Sequence, residues 1–129
     1  MTVIIGYLPS PEGQAALEAG FAEAKARDVR ALVVNSPRLG AASEVTTLDA
    51  SEAAALEEQA RKAGVEAEVL QPEHEDNLVE TLNRCAKEND ASMIVIGLRK
   101  RSAIGKFILG SQAQRILLDS DVPVLTTTP

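Results

Sequence analysis

Residues 93–121 read MIVIGLRKRSAIGKFILGSQAQRILLDSD. Met93 to Ile96 form the short apolar run of a buried strand, and Gly97 stops it. Four cations follow: Arg99, Lys100, Arg101 and Lys106. At Gly110-Ser111 the pattern changes to an amphipathic helix, with Ala113, Ile116 and Leu117 on one face. A strand, a glycine, a cationic loop and a helix start make the layout that binds phosphate. The first N–H groups of the helix have no partner within it, and the positive end of its dipole points at the loop. Charge is distributed to match. Five of the 13 Lys and Arg residues lie between Ala91 and Leu118, a stretch without Asp or Glu, while all 19 acidic residues lie elsewhere. A run of cations is also what a solvated surface turn looks like, and Ser111 also suits the plain duty of an N-cap.

Outward from this stretch the chain alternates. Val3 to Leu8 is a first apolar strand, broken by Pro9, Ser10 and Pro11. Glu12 to Asp28 has helical spacing, with Leu17, Phe21 and Ala24 at i, i+4 and i+7; Ser10 suits its N-cap and Pro11 its first position. Ala31 to Val34 is a second strand, and Arg38 to Asp49 a loop without period. Ser51 to Ala63 is a second helix. Val65 to Leu70 alternates apolar and acidic residues, the pattern of a half-exposed edge strand. Glu73 to Asn89 is a third helix with Leu78, Leu82, Cys85 and Ala86 on one stripe. The key strand, loop and helix follow, and Val122 to Leu125 is a closing strand. Strand–helix alternation of this kind requires an α/β fold, a five-stranded parallel sheet with helices on both faces. Ligands in such sheets sit beyond the carboxyl ends of the strands, where the strand order reverses. In an order such as 2-1-3-4-5 the loops after the first and fourth strands can meet there.

Bulk properties narrow the function. A chain of 129 residues is expected to form one domain over residues 1–129. Aromatics make up 2 %, so the core has to be aliphatic. No apolar run approaches the ~20 residues that cross a bilayer, and the start lacks the basic n-region of a secretory signal. A net charge of −6 argues against nucleic acid as the main partner. A single cysteine excludes an internal disulfide and suits a reducing, cytoplasmic location. Cys85 lies on an apolar stripe and reads as a small core residue. His74 has no catalytic partner in any motif, and Glu73, Glu75 and Asp76 read as charges compensating a helix dipole. Nothing has metal-ligand spacing.

Known phosphate motifs discriminate further. A Walker A loop fails, because Phe107 follows Gly105-Lys106 where Ser or Thr is required. The dinucleotide G-x-G-x-x-G is missing after the first strand. The spacing that does match is G-x2-G-x9-G-[ST]: Gly97 takes the first position, Lys100 stands at the second, and Gly110-Ser111 take the last pair. On this motif, the length, the strand alternation and the ending VPVL, the chain resembles the universal stress protein family over nearly its whole extent. The resemblance implies a Rossmann-like fold of the adenine nucleotide alpha hydrolase type. It also implies a nucleotide site in which Gly97, Arg99, Gly110, Ser111 and Gln112 line the phosphate and ribose region; Lys100 and Lys106 add cations to that loop. Two positions depart from the family pattern. Lys100 replaces a glycine, and Leu8 stands where nucleotide-binding members usually carry an Asp that contacts the nucleoside.

The expectation is therefore a cytoplasmic regulator, not an enzyme, that binds an adenine nucleotide such as ATP. The alternative is a dimeric interaction module of the same family without nucleotide. No base and no Mg²⁺-binding carboxylate is identifiable in the loop, which disfavours ATP hydrolysis. The closing strand, last in the chain and apolar, is expected at a sheet edge, where pairing with a second copy forms a homodimer.

Overall fold

The computed structural model describes residues 1–35, 48–72, 77–99 and 110–129. In chain order these form β1 (Thr2–Tyr7), α1 (Pro11–Arg27), β2 (Arg30–Asn35), α2 (Ala50–Lys62), β3 (Ala67–Leu70), α3 (Leu78–Glu88), β4 (Ala91–Gly97), α4 (Ser111–Asp119) and β5 (Val124–Thr127). The strands make one sheet in the order β3-β2-β1-β4-β5, and every neighbouring pair is parallel.

This order is a relative of the 2-1-3-4-5 arrangement named above and differs from it in the place of the third strand. That arrangement would put the third strand between two neighbours and bury it. The third strand carries Glu66-Ala67-Glu68, and β3 lies at the edge with Glu68 exposed. β1 is buried along its whole length and takes the centre. The chain first runs outward from β1 through β2 to β3. It then crosses back over the opposite face, so that β4 pairs with the other side of β1. The reversal of strand order falls between β1 and β4, and the loops leaving these two strands share the carboxyl edge there.

The apolar strands divide their side chains between two faces, because successive residues point to opposite sides. Val3, Ile5, Ala31, Val33, Met93 and Val95 pack under α1 and α2 against Leu17, Phe21, Leu56 and Ala60. Ile4, Leu32, Val34, Ile94 and Ile96 pack under α3 and α4 against Leu78, Leu82, Cys85 and Ile116. The core is aliphatic as expected, and Cys85 is a buried part of it.

The helices begin where their caps are. The Ser10 hydroxyl accepts from the Gly13 N–H at 3.0 Å, and Pro11 takes the first turn. Asp49 and Glu52 form a reciprocal capping box at the head of α2. Asn77 caps α3, which therefore starts at Leu78; residues 73–76, including His74, lie outside the described residues, as does most of the loop read over 38–49. β5 starts two residues later than the apolar run suggests. Ser120 to Val122 form a turn in which the Ser120 hydroxyl donates to the Val122 carbonyl and accepts from its N–H. α4 also differs from its expected packing. Ile116 is buried, but Leu117 is 39 % and Leu118 82 % exposed, so the inward stripe of this nine-residue helix is narrower than its composition suggests.

Candidate functional site

Gly97 ends β4 at the point where the first turn of α1 presses on the sheet. A Cβ at residue 97 would sit 1.9 Å from the Glu12 carbonyl oxygen and 2.6 Å from its carbon. Only a residue without a side chain permits that backbone approach. Gly13, the residue after Glu12, is required in the same way, since its Cβ would meet the Leu8 carbonyl oxygen at 1.8 Å. The exits of β1 and β4 are therefore held together by backbone contact across two glycines. They lie together at the carboxyl edge of the sheet.

Arg99 follows the β4 exit, and its partner was not visible in the sequence. Both its Nε and Nη2 donate to Oε1 of Glu12, at 3.1 and 3.0 Å, across 87 positions of chain. Arg99 is 53 % and Glu12 20 % exposed, so the pair contributes about 0.2–1 kcal/mol to stability. Glu12 also lies in the first turn of α1, where its charge complements the helix dipole.

The head of α4 reaches the same edge of the sheet. Because β4 and β5 are parallel, the helix between them runs back along the sheet, and its N-terminus lies at the carboxyl edge. Gly110, not Ser111, is the N-cap; Ser111 is the first helical residue and is exposed. The cap makes no side-chain hydrogen bond, so no capping side chain occupies the leading N–H groups. Gly110 has φ −66° and ψ 161°, a conformation open to any residue, and among the described residues no atom beyond its chain neighbours lies within 4 Å of where its Cβ would be. Two positions on, Oε1 of Gln112 is buried and has no hydrogen-bond partner among the described residues. A buried acceptor left in this state costs about 1–3 kcal/mol unless something donates to it.

Two further side chains at the carboxyl edge were missed from sequence. Asn35, 2 % exposed at the end of β2, donates through Nδ2 to the Tyr7 carbonyl at 3.1 Å. The Tyr7 hydroxyl titrates above its ordinary value, because burial, and after it the Glu52 carboxylate, disfavours the phenolate. Leu8 is buried after β1. Of the residues singled out in the sequence, Gly97 and Arg99 thus lie at the exit of β4, and Gly110, Ser111 and Gln112 at the head of α4. Lys100 and Lys106 lie outside the described residues. Among the described residues no cluster of His, Cys, Asp or Glu is arranged to hold a metal ion, and no helix is long and apolar enough to cross a membrane.

A parallel sheet wound in this order is an open α/β sheet, a class whose ligands sit at the carboxyl edge where the strand order reverses. The chain belongs to the universal stress protein family, whose family model matches residues 1–127. A universal stress protein of Mycolicibacterium smegmatis is 38 % identical over 127 residues, covering 98 % of this chain and 97 % of the relative. The structure of a universal stress protein from Archaeoglobus fulgidus superimposes with a TM-score of 0.78 at 28 % identity, covering 98 % of this chain and 97 % of the other. The universal stress protein from Archaeoglobus fulgidus in complex with dAMP superimposes with a TM-score of 0.71 at 25 % identity, covering 98 % and 96 %. The fold is the adenine nucleotide alpha hydrolase-like one.

Proposed function

We propose that this chain, as one universal stress protein domain over residues 1–129, binds an adenine nucleotide, ATP in particular, between the β4 exit and the head of α4. The observation that carries this reading is the buried, partnerless Oε1 of Gln112 beside the uncapped, side-chain-free Gly110. The N–H groups there suit phosphate, and the orphan acceptor suits a ribose hydroxyl. Arg99 supplies a cation, and Lys100 and Lys106 belong to the same proposed phosphate set by their place in the sequence. The dAMP complex of the Archaeoglobus fulgidus relative supports an adenine nucleotide as the ligand class. The role is that of a cytoplasmic, nucleotide-responsive regulator rather than an enzyme, working as a homodimer through the edge strand β5. Mass spectrometry of small molecules released on denaturing the purified protein tests the ligand. An adenine nucleotide is expected. Release of none, together with no thermal shift by millimolar AMP, ADP or ATP, removes the reading.

A second reading has its own support. Leu8 offers no polar atom in its side chain where nucleotide-binding members carry an acid, and Glu12 engages Arg99. Both suit an interaction module that works without nucleotide, and the same release experiment separates the two.

A further inference from the structure

We propose that Glu12 is a resident competitor for the ligand's phosphate, and that its exchange on Arg99 sets how strongly the site favours phosphorylated over uncharged ligands. This rests on the nucleotide reading of the carboxyl edge. A carboxylate on an arginine fork occupies the donors that a phosphate oxygen would use. Here a single oxygen, Oε1, takes both Nε and Nη2. The Glu12 backbone is pinned by its contact with Gly97, so the carboxylate stays within reach of Arg99 in the absence of ligand. Once displaced, it still has favourable surroundings, because the first turn of α1 offers a positive dipole end. A phosphate with two or more charges outcompetes this carboxylate, and an uncharged nucleoside never meets it. The exchange therefore offsets part of each phosphate's contribution to affinity, and the site discriminates by ligand charge less steeply than its cations alone would allow.

The test is calorimetry of wild type, Glu12→Gln, Arg99→Ala and the double variant with ATP, adenosine and inorganic tripolyphosphate. Glu12→Gln is expected to tighten ATP and tripolyphosphate by about 2- to 5-fold, to leave adenosine unchanged, and to lose its effect in the Arg99→Ala background. A tightening that persists without Arg99 would reveal general charge repulsion and overturn the exchange. Unchanged or weakened ATP binding by Glu12→Gln would make Glu12 a positioning residue for Arg99 and overturn it too, with the nucleotide reading intact. If neither wild type nor Glu12→Gln binds any of the three, the nucleotide reading falls and the inference with it.

Discussion

Replacing Gly97 by Ala tests the backbone contact that closes the site. The added Cβ would lie 1.9 Å from one backbone atom of Glu12 and 2.6 Å from another. Ordinary contact is about 3.5–4.0 Å between carbon atoms, so an overlap of more than an ångström has to be relieved. No side chain can rotate away, because the atoms in question are main chain. Either α1 lifts from the sheet, loosening Leu17 and Phe21, or the end of β4 tilts away from β1. Overpacking of this kind costs about 3 kcal/mol, at the upper end of its usual range, which lowers Tm by roughly 10 °C in a domain of this size. Gly110→Ala is the matched control. It adds the same methyl in open space on an unstrained backbone; the slightly poorer N-cap is offset by a less flexible unfolded chain, and stability is expected to change by less than about 0.5 kcal/mol. Urea denaturation followed by circular dichroism measures both. Equal stability of Gly97→Ala and Gly110→Ala would refute the reasoning that the first glycine is required by packing and the second is not.

Three more outcomes follow from the same structure. Asn35→Ala removes the donor to the Tyr7 carbonyl and is expected to destabilise by about 1–3 kcal/mol in urea denaturation. Tyr7 is the only tyrosine and there is no tryptophan, so phenolate absorbance reports one site. Its folded pKa is raised above the ordinary value of 10.0, so its contribution to stability is complete below that value and is lost as pH rises through the folded pKa; phenolate should appear at lower pH in the urea-unfolded chain than in the folded one. By sedimentation velocity the wild type is expected to run as a dimer and Leu125→Lys, on the β5 edge, as a monomer.

The letters of this sequence carry layers more readily than contacts. Alternation of apolar runs with amphipathic segments was sufficient for the parallel sheet, and the acidic alternation around Glu66 and Glu68 marked the β3 edge. Strand order was not legible, because it depends on which face the connection through α3 crosses. Leu117 read as buried because composition shows an apolar face but not how wide the neighbouring surface is. Gly97 and Gly110 stand in one motif with the same letter. One is required by a 1.9 Å approach to Glu12 and the other borders open space, a difference that only coordinates reveal. The Arg99–Glu12 pair spans 87 positions, and Glu12 alone reads as an ordinary charge in a helix's first turn. Nothing in the letter Gln marks Gln112 as a buried acceptor without a donor.

Titration calorimetry of the wild-type chain with ATP, run at two salt concentrations, addresses the proposed nucleotide site itself. The expected result is saturable binding of one ATP per chain that weakens as salt rises, with Arg99→Ala losing about 1–3 kcal/mol of binding free energy, the range for a charge-assisted hydrogen bond. No heat and no thermal shift at millimolar ATP would contradict it.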